Sequence, residues 1–248
     1  MANLSGKRVL VTGASTGIGR ATAIRIASEG GRVALFDVND SDAESTLRTI
    51  LDSGGDARYW HVDVTDEGEV SSGVDEAANW LGGGIDVLAH LAGILKGSGL
   101  EVTDVDESIW DPVIEVNLKG SYTVVKHVAR HMIPMQSGVI ILTSSGAGVI
   151  GGSSSVAYGA SKGGTHGLAM TLDTHLSRHG IRVNDVLPGS LETPLKIGAT
   201  EEQLANTGDR ERYDDIMAGL SSPNGVPAVI AFLASDDADY VRGSVRTI

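Results

Sequence analysis

Lys7-Arg-Val-Leu-Val-Thr-Gly-Ala-Ser-Thr-Gly-Ile-Gly-Arg-Ala-Thr-Ala-Ile-Arg-Ile-Ala27 decides the fold. Lys7–Thr12 is a compact β-rich run that stops at Gly13, and Arg20–Ala27 suits a helix. Strand, glycine turn and helix in that order form the setting a dinucleotide-binding loop requires. Gly13, Gly17 and Gly19 let the backbone approach a pyrophosphate, and the helix start offers free N–H groups and a positive dipole end. Ser15, Thr16 and Ile18 share the loop and count among its candidate contacts. A flexible turn without a ligand is the plainer alternative.

Outward from this loop the pattern repeats. Gly30-Gly31 ends the helix, and Arg32–Asp37 reads as a second strand closing on an acid. Asp37 follows the loop by about twenty residues, where a carboxylate can bind the adenosine ribose hydroxyls. It would repel the 2′-phosphate of NADP, and no arginine in the glycine loop or just after Asp37 reverses that. The expected cofactor is therefore NAD(H), with a strand-end aspartate capping a turn as the alternative. Asp40–Asp52 reads as an exposed helix, Arg58–Val62 as a strand, Glu67–Leu81 as a helix and Ile85–Ala89 as a strand. Asp63-Val64 and His90-Leu-Ala-Gly93 follow the third and fourth strands, on the sheet edge that carries Gly13 and Asp37. Asp63 is placed to meet the adenine amino group. This alternation predicts an α/β fold: a doubly wound, Rossmann-type parallel sheet with helices on both faces and ligands at the carboxyl ends of its strands.

Asp104–Asn117 is helical with a break at Pro112, and Leu118–His131 continues as a long helix ended by Pro134. Gly138–Thr143 is an apolar strand buried on both faces, followed by Ser144-Ser145-Gly146. A Gly/Ser-rich loop leads to a helix from Tyr158 to about Arg178, capped by Gly180. Ile181–Leu187 is a sixth strand, ending at Pro188-Gly189. Leu191–Ser222 is charged and poor in β-formers, and reads either as one or two small helices forming a mobile lid or as a solvated surface excursion. Gly225–Leu233 is a final helix and Val241–Ile248 a last strand. With no repeat, linker or low-complexity segment, residues 1–248 are expected to form a single domain with a lid at about 191–222.

In Tyr158-Gly-Ala-Ser-Lys162, helical spacing puts a phenol and an ammonium on one face. A free phenol ionises near pH ~10, and a neighbouring cation lowers that value. The pair can then exchange a proton with an alcohol or carbonyl. Alone the spacing is weak, since Tyr-x-x-x-Lys also arises by chance.

Composition removes other classes. The 248 residues include 19 Lys and Arg against 32 Asp and Glu, a net charge of -13. That argues against nucleic acid and anionic membrane surfaces as partners. The absence of cysteine excludes disulfides and thiolate chemistry. No metal-ligand pattern is present. With no secretory pattern and no apolar run of ~18 residues, the expected location is the cytoplasm.

Taken together, Thr12-Gly-Ala-Ser-Thr-Gly-Ile-Gly19, Asp63-Val64, Ala92-Gly93, Asn117, Ser145, Tyr158-x-x-x-Lys162, Ile181-Arg-Val-Asn184 and Pro188-Gly189 resemble the short-chain dehydrogenase/reductase family over nearly the whole chain. The resemblance implies one doubly wound domain with a seven-stranded parallel sheet. It implies that Tyr158 is the acid/base, that Lys162 holds the nicotinamide ribose and depresses the phenol's pKa, and that Ser145 hydrogen-bonds the substrate oxygen. Asn117 would place a water in a proton relay behind the lysine. Pro188, Gly189, Leu191 and Thr193 would contact the nicotinamide end. A serine hydrolase reading of Ser145 fails, because Gly-x-Ser-x-Gly is absent around it.

Two departures stand out. The family usually has Asn-Asn-Ala-Gly after strand four, where this chain has His90-Leu91-Ala92-Gly93; His90 either takes over a cofactor-ribose contact or is a hydrogen-bonded core histidine. Many members also carry an Asp-Gly-Gly tail after the last strand, where this sequence reads to Ile248. The expected activity is hydride transfer between NAD(H) and a secondary alcohol or ketone. Reduction of a 3-oxoacyl thioester and dinucleotide sensing or scaffolding without turnover are the rivals. Ile94, Leu95, Lys96, Ala147, Gly152, Ser153 and parts of the lid are candidate substrate walls. The resemblance also implies a homotetramer, with helices Leu118–His131 and Tyr158–Arg178 at an interface.

Overall fold

The computed structural model describes residues 2–247. Seven parallel strands form one sheet: β1 (Arg8–Thr12), β2 (Arg32–Asp37), β3 (Asp56–His61), β4 (Val87–His90), β5 (Gly138–Thr143), β6 (Ile181–Leu187) and β7 (Gly243–Arg246), in the order β3-β2-β1-β4-β5-β6-β7. Order reverses beside β1, between β2 on one side and β4 on the other, which opens a crevice at the carboxyl ends. The strands are apolar on both faces because helices cover both. Leu10, Ala34, Phe36, Leu88, Ile140 and Val183 point into one core, and Val9, Val11, Val33, Leu35, Val87 and Ile141 into the other.

The helices are α1 (Gly17–Ser28), α2 (Asp40–Asp52), α3 (Glu67–Trp80), α4 (Glu107–Ile114), α5 (Gly120–Met135), α6 (Gly146–Val149), α7 (Val156–Leu176), α8 (Pro194–Thr207), α9 (Arg210–Ala218) and α10 (Gly225–Ala234). Side-chain caps begin many of them. Asn39, Asp66 and Asp106 accept backbone N–H bonds at the starts of α2, α3 and α4, as polar caps do.

Several boundaries differ from expectation. The third strand lies at Asp56–His61 rather than 58–62, because Ala57 pairs with Val33 and sets the register. The fourth strand lies at Val87–His90, so His90 is inside the ladder rather than beyond it. Pro134 does not end its helix. It sits in the last turn, and Gln136 in the left-handed region (φ 52°) makes the stop. The last strand is confined to Gly243–Arg246; Ile248, its expected end, lies outside the described residues.

Pro112 lies within α4 without separating it from α5. The junction is instead a π-helical turn, Glu115–Lys119, in which Gly120 N–H bonds to the Glu115 carbonyl. Asn117 sits in this turn, fully buried. Its main-chain oxygen accepts the hydroxyls of Ser121 (2.6 Å) and Thr165 (3.1 Å).

The Ile181-Arg-Val-Asn184 motif is architectural. Arg182, buried, donates to the Leu233 and Ser235 carbonyls at the end of α10. Asn184 Nδ2 donates to the Val241 carbonyl (3.1 Å), holding the approach to β7. The segment 191–222 forms two helices, α8 and α9. Glu202 of α8 accepts the backbone N–H groups of Gly97 (2.9 Å) and Ser98 (3.1 Å), which latches α8 to the loop after β4.

Candidate active site

One cleft of about 1090 Å³ opens at the carboxyl ends of the strands. Such a volume, at the reversal of strand order, suits a cofactor and a small substrate together.

Its floor is the glycine loop. Gly13 holds φ +67°, and a Cβ there would come within 2.7 Å of the Ala92 nitrogen. A Cβ on Gly19 would lie 1.9 Å from the Gly13 carbonyl oxygen. Only glycine permits this close seating of α1 on the turn. Thr16 precedes α1 without a side-chain cap, and no acid stands in the first turn. The N–H groups of α1 are thus left to a ligand on a surface where backbone can approach it, which fits a dinucleotide diphosphate.

Gly13, Ser15, Thr16, Gly17, Ile18 and Gly19 all line the cleft. Asp37 lines it from the end of β2, with Oδ2 accepting from Ser15 N–H (2.9 Å) and Oδ1 from Asn39 N–H (3.0 Å). Among the described residues no cation pairs with Asp37; Arg20, the nearest basic residue in sequence after the loop, bonds Thr46 and Thr49 instead. Asp63 and Val64 line the same end, with Asp63 Oδ1 accepting from Thr65 N–H and Oγ1. Ala92 and Gly93 form the middle, and Pro188, Gly189, Leu191 and Thr193 the far side.

His90 is not on the wall. It is 2% exposed and turned into the core. Thr12 Oγ1 accepts the N–H groups of Leu91 and Ala92, so its proton goes to His90 Nδ1 at 2.9 Å. The ring proton is then on Nε2, which is buried without a partner among the described residues. Burial, with the Lys162 charge nearby, pushes the imidazole down to about 3. The cofactor-contact expectation for His90 is corrected to a neutral core histidine.

Tyr158 and Lys162 share one face of α7, and the Lys162 ammonium lies 5.7 Å from the centre of the Tyr158 ring. Ser155 caps α7, accepting Tyr158 N–H (3.2 Å) and donating to the Lys96 carbonyl (2.6 Å). The phenol therefore stands in the first helical turn, where the dipole favours negative charge. Lys162 is buried and donates to the Thr143 carbonyl (2.7 Å) at the end of β5. Burial draws it down to about 8, while buried Asp185 acts in the opposite direction. Burial raises the Tyr158 phenol and the Ser145 hydroxyl pulls against that, while the Lys162 ammonium is directed at Thr143.

Ser145 begins α6 and its Oγ accepts Ala147 N–H (3.2 Å), leaving the hydroxyl proton to be donated elsewhere. Ser145, Tyr158 and Lys162 all line the cleft. Asn117 does not. Its amide clamps Ile94 (Oδ1 to N–H 2.8 Å, Nδ2 to carbonyl 2.9 Å) and reaches Ser161 Oγ. A Cβ on Gly93 would lie 3.2 Å from Asn117 Oδ1 and 3.5 Å from Lys162 Nζ, so Asn117 and Lys162 both pack against Gly93.

Ile94, Leu95, Ala147, Gly152 and Ser153 line the cleft, but Lys96 does not: only its carbonyl is engaged, under Ser155. Sequence reasoning missed Asp185, whose carboxylate accepts from Ser144 N–H and Oγ and meets His166 Nδ1 (2.8 Å). The signal was an acid in the middle of a buried strand. It also missed Lys196 and Arg212 on the cleft wall, because the charged segment around them masks individual roles.

A parallel doubly wound sheet with this loop and this Ser–Tyr–Lys grouping defines a class of nicotinamide-dinucleotide oxidoreductases. The short chain dehydrogenase family matches residues 7–204, and the chain belongs to that family. A curated relative, the 3-oxoacyl-acyl-carrier-protein reductase FabG of Thermotoga maritima, is 36% identical, covering 98% of this chain and 96% of its own. Among solved structures, an NAD+-bound xylitol dehydrogenase superposes with a TM-score of 0.92 at 32% identity, covering 98% of each chain. An actinorhodin polyketide ketoreductase variant with NADPH superposes at 0.90 and 30% identity, covering all of this chain and 97% of that one.

Proposed function

We propose that this chain catalyses NAD(H)-dependent interconversion of a secondary alcohol and a ketone, with Tyr158 as the acid/base. The observation that carries the reading is the convergence of Ser145, Tyr158 and Lys162 on the cleft that the glycine loop also lines. The cofactor, when bound, supplies the hydride donor or acceptor; Gly13 to Gly19 would hold its diphosphate and Asp37 its adenosine ribose. Ser145, its own acceptor already used by Ala147 N–H, donates to the substrate oxygen and orients it. Tyr158 delivers or removes the proton on that same oxygen. Lys162, anchored to Thr143, would hold the nicotinamide ribose, and it packs beside Gly93 and Asn117.

Asp37 supports NAD over NADP, because a fixed carboxylate without a paired cation opposes a 2′-phosphate. Comparable initial rates with NADP+ would overturn that choice. The same carboxylate disfavours the 3-oxoacyl thioester reductase reading insofar as such reductases use NADPH. The family resemblance supports a homotetramer built on α5 and α7.

The test is Tyr158→Phe assayed with an alcohol and ketone panel. Turnover is expected to fall by about 10²–10⁴-fold, with NADH binding, read by its fluorescence, retained. Retained turnover removes the acid/base role. NADH binding with no turnover by the wild type across the panel favours the sensor or scaffold alternative.

A further inference from the structure

The cleft is polarised. Asp37 and Asp63 line the end beside β2 and β3. Beyond Tyr158, on the side of β6, its wall carries Lys196 from the first turn of α8 and Arg212 from the first turn of α9.

These cations are unusual in three ways. The chain has 32 acids for 19 bases, and the surrounding segment alone contains Glu192, Glu201, Glu202, Asp209, Glu211, Asp214 and Asp215. Yet among the described residues neither the Lys196 ammonium nor the Arg212 guanidinium has a carboxylate or other hydrogen-bonding partner; only their backbones are engaged, the N–H groups with Thr193 and Asp209 and the Lys196 carbonyl with Thr200. Their neighbours behave differently: Arg210 pairs with Asp214 at 3.0 Å, and Glu202 is engaged by the Gly97 and Ser98 amides. Second, a lysine in the first turn of a helix opposes the dipole there, so helix stability does not explain it. Third, the two charges sense each other. Partial burial and the Arg212 charge both draw Lys196 down from its ordinary value. A partly buried ammonium beside an exposed like charge is unfavourable until an anion joins them.

Their position is on the substrate side. Arg212 shares a small cavity between α8 and α9 with Gln203. Buried Gln203 also lines the main cleft and packs against Gly99, on the loop that carries Ile94 and Leu95. Resting on the oxidoreductase reading above, we propose that Lys196 and Arg212 form an anion-binding subsite, and that the substrate is a hydroxy or oxo compound bearing a carboxylate or phosphate. A competing source of the same chemistry is the cofactor's own diphosphate, since Thr193, one turn before Lys196, lies 3.6 Å from where a Gly17 Cβ would stand.

The experiment pairs hydroxy acids of four and six carbons, linear and cyclic, with their uncharged amides, and adds a phosphate ester of one matching diol. Each is assayed with NAD+ on the wild type and on Lys196→Met/Arg212→Leu. In parallel, butanoate, butanamide and inorganic phosphate are titrated onto the NADH complex and followed by thermal shift. The wild type is expected to prefer the anionic member by at least about ten-fold in kcat/KM, carried by KM. The double variant is expected to bring that ratio to within about two-fold. Equal use of acid and amide by the wild type, or a preference that survives in the double variant, overturns the proposal. So does a double variant whose main loss is affinity for NADH, which assigns the cations to the diphosphate. Anion-selective binding that the variant loses, with no turnover of any compound, keeps the subsite and removes the oxidoreductase reading. Turnover without anion preference does the reverse.

Discussion

At the scale of single residues, the proposed proton transfer rests on two groups that burial pulls in known directions. Burial raises the Tyr158 phenol and lowers the Lys162 ammonium to about 8. A protonated phenol at neutral pH is ready to give a proton to a ketone and must first lose one to accept from an alcohol. Alcohol oxidation is therefore expected to accelerate as pH rises above neutrality, while ketone reduction does not; flat oxidation rates over pH 7–9 contradict this. Asp185, fully buried, acts to raise Lys162. In Asp185→Asn, Lys162 should shed its proton at lower pH. The lysine-dependent limb of the pH–rate profile then moves toward acid, a shift that simple loss of folded protein does not produce. Measuring the profile on the folded fraction separates the two.

At the scale of elements, the glycine turn and the α8 latch make separable predictions. Gly19→Ala sets a methyl 1.9 Å from the Gly13 carbonyl oxygen, so α1 must shift. NADH affinity is expected to drop by at least about ten-fold, and an unchanged titration rejects the cradle. Glu202→Ala leaves the Gly97 and Ser98 amides without their carboxylate acceptor, a local loss of about 1.5–3 kcal/mol. Hydrogen exchange over 194–218 should quicken and substrate KM rise; unchanged exchange means the latch does not hold the segment. Much of this scale was legible in the sequence. Glycine spacing and alternating apolar runs carry the seven strands and the loop, because both respond to local chemistry. The latch was not legible, since Glu202 acts on backbone groups more than a hundred residues away. His90 misled for a related reason: its neighbours in sequence line the cleft, but the pairing with β1 turns its ring inward.

For the whole molecule, no helix among the described residues is long and apolar enough to cross a membrane. The same buried histidine couples the core to pH. His90 takes up a proton at about 3 when folded, against an ordinary value of 6.5. Between those values the unfolded chain binds a proton that the folded one refuses. Its contribution is therefore intact above 6.5 and declines as pH falls toward 3, by about 1.4 kcal/mol per pH unit. His90→Asn should flatten that part of the stability curve in urea melts at pH 7, 5.5 and 4; parallel curves for the two proteins argue against it.

The π-helical turn at Glu115–Lys119 has a consequence for how this chain can change. It amounts to one surplus residue in an otherwise regular rod, tolerated because Ser121 and Thr165 satisfy the displaced oxygen of Asn117. Deleting any one residue there would give a straighter and locally stronger rod. It would also close the wide turn in which Asn117 sits, drawing its amide away from Ile94. Length variation among descendants of this protein should accordingly collect in surface loops and avoid this junction.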